Sequence, residues 1–251
     1  MILRRIRRLV NRVGYDVVPY RAKRTYPADF SEANVRICKA VSPYTMTSAE
    51  RVNAAIESVR YILANNIEGA VVECGVWKGG STMAMILTLQ ELANHSRDIY
   101  LYDTFSGMIA PTETDISFEG EKASDMFAKT KTSDDASDWC LSPLDEVKKN
   151  VYGTGYPQDK IHFVKGKVED TIPGTMPNQI ALLRLDTDWY QSTMHELTHL
   201  FPLLQAKGVL IIDDYGHWQG AGKAVDEYFA DKQISILLNR IDYSGRIAIK
   251  T

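Results

Sequence analysis

The chain has 251 residues, of which 45% are hydrophobic and 24% are charged, values typical of a globular protein large enough for one α/β domain. Its formal net charge of −3 provides no overall positive field, so we expect no nucleic-acid partner. Three scattered cysteines, Cys38, Cys74 and Cys140, do not suit a disulfide framework or a zinc site, which favours reduced thiols in a cytoplasmic protein.

Residues 1–43 are predicted to form a basic amphipathic helix followed by an extension. Ile2, Ile6, Leu9, Val10 and Val13 fall near one helical face, with five arginines elsewhere. The segment lacks the long apolar centre and cleavage site of a signal peptide. Such a helix can lie on anionic lipid, which would place the protein peripherally at a membrane. The alternative is a docking or oligomerisation helix with solvated arginines.

Residues 44–251 alternate between helical and strand patterns, which predicts one α/β domain. The first predicted helix is Ser48–Asn65, with Ser48 as its N-cap, and the next is Ser81–Asn94. The predicted strands are Ala70–Gly75, Asp98–Phe105, Ile161–Lys165, Ile180–Asp186, Gly208–Asp214, Ile234–Ile241 and Arg246–Lys250. The last two are joined by residues 242–245 as a β-hairpin. The result is a seven-stranded, mostly parallel sheet with an antiparallel C-terminal hairpin.

The segment Ser106–Pro157 interrupts this rhythm. It is polar, contains an acidic run and shows no clear sheet element. A connection of this length in a compact domain is either functional or disordered. Because Met126, Phe127 and Trp139 are large and apolar, we predict a partly helical lid insertion over about 106–157.

Acidic residues follow two of the predicted strands directly. Asp186 and Asp188 end one apolar run, and Asp213 and Asp214 end another. The carboxyl ends of parallel strands meet at one edge of a sheet, where ligands bind. Four neighbouring carboxylates repel one another unless a hard cation such as Mg²⁺ joins them. The pattern indicates a metal-dependent enzyme, the alternative being helix-capping and turn roles for these acids.

A glycine-containing loop, Val71–Ser81, follows the first strand and opens a helix. Its pattern is Glu73-x-Gly75 followed by two glycines, not the G-x-G-x-x-G of a dinucleotide site. An acid within the loop suits a cationic or hydroxyl-rich ligand. Asp103, after the next strand, stands where a carboxylate would hold a ribose diol. A capping role for Glu73 and a turn role for Asp103 are the structural alternatives.

Four motifs together resemble the macrocin O-methyltransferase family: Val72–Ser81, Leu101–Met108, Leu185–Tyr190 and Ile212–Trp218. The resemblance implies a Rossmann-like class I methyltransferase that uses S-adenosylmethionine and Mg²⁺ to methylate sugar hydroxyls, and suggests a homo-oligomer. It also implies that 44–47 reach the methionine end of the cofactor and that 166–170 line its adenine.

The resulting candidate site residues fall into three groups. The cofactor-binding candidates are Thr47, Glu73, Gly75, Trp77, Ser81, Asp103, Gly166, Val168 and Glu169. The resemblance assigns the metal to Asp186, Asp213 and Asp214. For the catalytic base, Asp188 lies two residues beyond Asp186, and His217 is its rival because its imidazole titrates near neutrality.

The reaction predicted from these groups is methyl transfer to a sugar hydroxyl of a glycoside, a natural-product glycoside or a cell-surface glycan. A hydroxyl is a weak nucleophile, and Mg²⁺ bound to it lowers its pKa. Trp77, Trp189 and Trp218 are predicted either to face the sugar or cofactor or to pack in the core. The alternative function is a metal-dependent glycosyltransferase, because Asp186-Thr-Asp188 mimics a DxD motif.

Overall fold

The computed structural model describes residues 26–134 and 136–251. Ser31–Thr251 form one compact unit. The predicted basic helix lies outside the described residues, so its lipid contact stays a prediction. Within the ranges described, no helix is both long and apolar enough to cross a bilayer.

This compact unit is built on the predicted seven-stranded sheet. Its strands, with a separate short pair β3–β4, are β1 Ala70–Cys74, β2 Ile99–Asp103, β3 Lys131–Ser133, β4 Ala136–Ser137, β5 Ile161–Lys165, β6 Ile180–Leu185, β7 Leu204–Ile212, β8 Asn239–Arg240 and β9 Arg246–Ile249. The order is β5-β2-β1-β6-β7-β9-β8. The first five strands in this order are parallel, and β9 is antiparallel to both of its neighbours, β7 and β8. β1 and β6 are buried at every position, as mainly apolar strands in the middle of a parallel sheet are, and their two charged residues, Glu73 and Arg184, pair with each other.

Helices flank this sheet. They are α1 Glu32–Val41, α2 Ala49–Ala64, α3 Gly80–Glu91, α4 Ala123–Thr130, α5 Leu144–Tyr152, α6 Val168–Thr171, α7 Tyr190–His199 and α8 Gln219–Asp231. Ser48 caps α2 as predicted, because its side chain accepts a hydrogen bond from the Arg51 amide at 3.1 Å. A free donor at the helix N-terminus is thereby satisfied.

The point where the strand order reverses lies between β1 and β6. The chain runs from β1 outward through β2 and β5, then returns to β6 on the other side. Two backbone hydrogen bonds of 2.9 Å, from Asp186 to Cys74 and from Asp213 to Leu185, bring the three strand ends together. Ligands of open α/β sheets bind at such a switch point.

Two sequence predictions differ from the structure. Of the predicted strand Ile234–Ile241, only Asn239–Arg240 pairs with β9. Ile234, Ile236 and Leu238 instead pack against the main hydrophobic core. The alternation of apolar and polar residues in this segment therefore reflects one buried side, and not backbone pairing with a neighbouring strand.

The insertion also differs in detail. It contains the antiparallel pair β3–β4, a sheet element that the polar sequence did not indicate. Its last helix, α5, buries Val147 and Val151, and a Cβ on Gly79 would lie 2.8 Å from Val151. Because Val151 of α5 lies this close to Gly79, the residue before α3, α5 packs against the start of α3. The lid role of the remaining insertion stays a prediction.

Gly75→Ala is expected to destabilise the domain strongly. Gly75 has φ +80°, and a Cβ there would lie 1.9 Å from the carbonyl oxygen of Asp186. The left-handed conformation alone costs a residue with a side chain about 1–2 kcal/mol. The clash adds to this cost by forcing the ends of β1 and β6 apart. Urea denaturation measures the loss in free energy of unfolding.

Gly120→Ala is the matched control for this prediction. Gly120 has φ +88°, yet a Cβ there meets no atom within 4 Å. Its substitution therefore reports only the backbone cost, about 1–2 kcal/mol. Equal losses for the two variants would contradict the close contact at Gly75.

Candidate active site

Every predicted site residue lines one of two adjoining cavities at the carboxyl ends of β1, β6 and β7. The larger cavity, of about 290 Å³, is bordered by Thr47, Glu73, Gly75, Trp77, Ser81, Asp103, Asp186, Asp188, Asp213, Asp214 and His217. The smaller, of about 70 Å³, is bordered by Gly166, Val168 and Glu169. Gly75, Asp103 and Asp186 border both. The fold thus assembles the candidates, while their individual roles stay predictions.

The predicted metal ligands form a compact carboxylate cluster. Asp186, Asp213 and Asp214 each offer an oxygen within 4.8 Å of the others. Burial raises the pKa of Asp186 well above its ordinary value, and the Asp213 and Asp214 carboxylates raise it further against the opposing effect of Arg184. Three hard oxygen donors, two of them buried and that of Asp186 half-buried, lie close enough together to fit a divalent cation of the Mg²⁺ class.

Arg184 was not among the sequence candidates, yet it ties the ends of three strands together. It is 2% exposed. Its Nη1 lies 2.7 Å from Glu73 Oε1 and 2.6 Å from Asp186 Oδ2. Its Nη2 lies 2.5 Å from Asp213 Oδ1. The sequence signal was an arginine inside the apolar run of β6, because a buried charge must be paired.

Arg51 is a second basic residue at the cluster. It lies on α2, donates from Nη1 to Asp213 Oδ2, and places Nε 3.0 Å from Asp242 Oδ2. Thr47, predicted at the methionine end of the cofactor, has its hydroxyl 3.3 Å from both Asp213 oxygens. The contacts of Arg51 with Asp213 and Asp242 could not be predicted from the sequence, because Arg51 occurs in an ordinary amphipathic helix.

The two candidate bases differ in environment. Asp188 adopts φ +68° and accepts a 2.7 Å hydrogen bond from Trp218 Nε1. Burial, reinforced by the Asp186 carboxylate, raises the pKa of Asp188 to about 8. His217 lies 3.4 Å from the Tyr243 hydroxyl, and burial followed by Arg51 lowers its pKa. Asp188 contacts the cluster directly, because its amide donates to Asp214 at 3.3 Å.

Glu73 in the glycine loop and Asp103 at the end of β2 have structural contacts of their own. Asp103 accepts hydrogen bonds from the amides of Val76 at 2.7 Å and Trp77 at 3.1 Å. It therefore shapes the turn between β1 and α3 while still bordering both cavities. Glu73 accepts from the Thr82 hydroxyl and from Arg184.

The smaller cavity contains an acceptor that lacks a partner. Among the described residues, Glu169 Oε2 is buried and receives no hydrogen bond. An unsatisfied buried acceptor costs about 1–3 kcal/mol, so this oxygen suits a donor group on a bound molecule. Gly166 and Val168 border the same space.

The tryptophans near the motifs divide between core and cavity. Trp189 is 1% exposed and packs edge-on against Trp218 with ring centroids 5.1 Å apart. Trp77 and Trp218 border the larger cavity. The core alternative thus holds for Trp189, and a ligand-facing surface is available on the other two.

Glu196 lies beneath the loop that carries Asp186 and Asp188. It is 0% exposed and accepts a 2.9 Å hydrogen bond from the Thr187 hydroxyl. Burial raises its pKa well above the ordinary value of 4.5. The folded protein therefore binds a proton here that the unfolded chain releases, so stability falls as the pH rises above the unfolded value.

Glu196→Gln is expected to reduce that pH dependence. The amide resembles the protonated acid, so at pH values above the ordinary pKa of 4.5 the variant loses up to about 1.4 kcal/mol per pH unit of slope. Urea denaturation of both proteins across this range is the measurement. If the free energy of unfolding changes with pH equally in the wild type and the variant, Glu196 does not hold the proton.

The chain resembles known O-methyltransferases over most of its length. It matches the family profile described as Macrocin-O-methyltransferase (TylF) over residues 20–248. It is 31% identical over 204 residues to the 8-demethyl-8-(2,3-dimethoxy-alpha-L-rhamnosyl)-tetracenomycin-C 4'-O-methyltransferase of Streptomyces olivaceus, covering 80% of this chain and 74% of that protein. It is 31% identical over 202 residues to the mycinamicin III 3''-O-methyltransferase of Micromonospora griseorubida, covering 80% and 76%.

A solved structure shows the same fold. The O-methyltransferase NovP is 28% identical in sequence and superposes with a TM-score of 0.73, covering 83% of this chain and 82% of that one. The predicted class I methyltransferase fold is thereby confirmed.

Proposed function

Because the chain belongs to the macrocin-O-methyltransferase family, we propose that it transfers a methyl group from S-adenosylmethionine to a sugar hydroxyl of a glycoside or glycan. The observation that carries this proposal is one cavity bordered by both the Glu73–Ser81 loop and the clustered aspartates. A methyl donor and a hydroxyl acceptor have to meet in such a space. One relative is named for a rhamnosyl-tetracenomycin acceptor, which supports a glycosylated compound here.

The residues present fit S-adenosylmethionine. When bound, this cofactor supplies an electrophilic methyl group on sulfur. The unpartnered Glu169 oxygen in the smaller cavity suits the exocyclic amino group of adenine. Asp103 borders both cavities and is assigned to the ribose. Thr47, Glu73, Trp77 and Ser81 border the larger cavity beyond it, where the methionine end is assigned.

The aspartate cluster fits Mg²⁺, which would be held by Asp186, Asp213 and Asp214. When bound, the ion supplies positive charge that favours ionisation of a hydroxyl. Arg184 holds one oxygen of Asp186 and one of Asp213 in fixed positions. The ligands are therefore oriented by the protein itself, as metal ligands with bonded outer partners generally are.

We assign proton removal to Asp188. Its Oδ1 accepts the Trp218 indole N–H, which orients the carboxylate at the border of the larger cavity. His217, whose Nδ1 lies 3.4 Å from the Tyr243 hydroxyl, is kept as the rival base. In either case a base within hydrogen-bond reach of the hydroxyl is required.

Thermal shift with S-adenosylhomocysteine and with nucleotide sugars tests the proposal against its alternative. We expect stabilisation by S-adenosylhomocysteine alone, because a ligand that binds only the folded state raises the melting temperature. Stabilisation only by nucleotide sugars would favour the glycosyltransferase reading, which finds no support among the relatives. Methylation assays with glycosylated natural products and envelope glycans then identify the acceptor class.

The basic N-terminal segment is proposed to contact anionic membranes, and the enzyme to form a homo-oligomer. The support is the sequence pattern of residues 1–13 and the family resemblance. Vesicle flotation of the full chain and of a variant lacking residues 1–20 tests the first proposal, and equal flotation of the two would reject it. Analytical ultracentrifugation tests the second.

A further inference from the structure

Both carboxylate oxygens of Asp213 accept hydrogen bonds from arginines. Oδ1 lies 2.5 Å from Arg184 Nη2, and Oδ2 accepts from Arg51 Nη1. A carboxylate oxygen that accepts one hydrogen bond keeps a second lone pair for a divalent cation. A guanidinium on the same carboxylate nevertheless repels that cation through its positive charge. Cation binding at Asp213 is therefore opposed by the charge of a neighbouring arginine.

The two arginines differ in their freedom to leave. Arg184 is 2% exposed and contacts three carboxylates around it, so any movement would leave a buried charge unpaired. Arg51 is 9% exposed and already has a second acid beside it, with Nε 3.0 Å from Asp242 Oδ2. Its guanidinium carbon also lies 5.9 Å from the centre of the Tyr243 ring. Of the two arginines, Arg51 can therefore leave Asp213 and still keep a carboxylate partner, Asp242.

We propose that Arg51 is a positioning residue that occupies Asp213 until a divalent cation binds and then moves its charge to Asp242. This inference rests on the proposed Mg²⁺ role of the aspartate cluster. Arg51 keeps the buried Asp213 carboxylate paired before binding, and its departure removes a positive charge that would repel a cation at Oδ2. Asp242, at the turn before β9, receives the displaced guanidinium.

Opposite changes in metal affinity test this exchange. Arg51→Gln removes the competing cation, so we expect Mn²⁺ to bind about threefold to tenfold tighter. Asp242→Asn removes the alternative anion but keeps the Oδ1 acceptor used by the Ser244 and Gly245 amides. We expect this variant to bind Mn²⁺ about threefold weaker. The measurement is Mn²⁺ titration of chelator-stripped full-length protein, followed by the electron paramagnetic resonance of the free ion.

Arg60→Gln is the matched control. Arg60 lies on the same helix, 2.8 Å from Glu91, and its loss should leave Mn²⁺ affinity unchanged. A purely structural role for Arg51 predicts weaker binding in Arg51→Gln, because Asp213 would lose its orientation. Equal or weaker binding by that variant therefore overturns the proposal.

Two further outcomes are decisive. If circular dichroism shows that Arg51→Gln does not fold, Asp242→Asn decides alone, and unchanged affinity in it rejects the exchange. If the wild-type protein binds no Mn²⁺, the metal role itself is rejected and the exchange with it. Stabilisation by S-adenosylhomocysteine would then still report separately on the methyl-donor part of the proposed function.

Discussion

Asp214→Asn is expected to lower methyl transfer at saturating Mg²⁺ by about 100-fold or more, because the ion loses an anionic ligand. The same change should leave the chelator-treated protein at least as stable as wild type. Burial, reinforced by Asp188 and Asp213, raises the pKa of Asp214 well above its ordinary value, so its charge is unfavourable in the folded state. Initial rates and melting temperatures in the presence of chelator measure the two effects.

A substitution at Asp214 separates effects on metal binding from effects on folding more clearly than a substitution at Asp213 does. Asp213→Ala would leave Arg51 and Arg184 without a shared partner, and breaking a buried ion pair in this way costs about 3–5 kcal/mol. Lost activity there would not distinguish the two causes. If Asp214→Asn keeps the wild-type rate with Mg²⁺, Asp214 is not a metal ligand.

Asp188→Asn is expected to lower kcat by about 100-fold to 10,000-fold, the range for losing a general base. The amide oxygen can still accept the Trp218 indole N–H, so the loop should keep its position. S-adenosylhomocysteine binding and stabilisation by Mg²⁺ should therefore persist. Steady-state kinetics together with thermal shift make this comparison.

His217→Asn is the comparison variant for the base. His217 is on the same loop as Asp213 and Asp214, and its imidazole interacts with the Tyr243 hydroxyl at 3.4 Å. We expect its kcat to stay within about tenfold of wild type, since it would contribute to binding more than to proton removal. A large loss at His217 with a small one at Asp188 would reverse the assignment.

Local patterns were sufficient for the sheet and for the acidic strand ends. The apolar runs of β6 and β7 are each followed directly by aspartates, and parallel strands align their carboxyl ends, so the cluster could be predicted from 180–186 and 208–214. The strand predicted at Ile234–Ile241 was mostly wrong, because alternation reports a buried side and not a paired backbone.

The sequence by itself determined the order of elements, the glycine loop and the set of carboxylates, because hydrophobic periodicity and turn residues act over a few positions. Only the tertiary structure decided which groups neutralise those carboxylates. Arg51 and Asp213 are 162 residues apart, and Arg184 and Glu73 are 111 apart. Such pairs depend on strand register and on how α2 packs over the sheet ends, which no local pattern contains. Burial then makes each pairing obligatory, because an unpaired charge at this depth is too costly to keep.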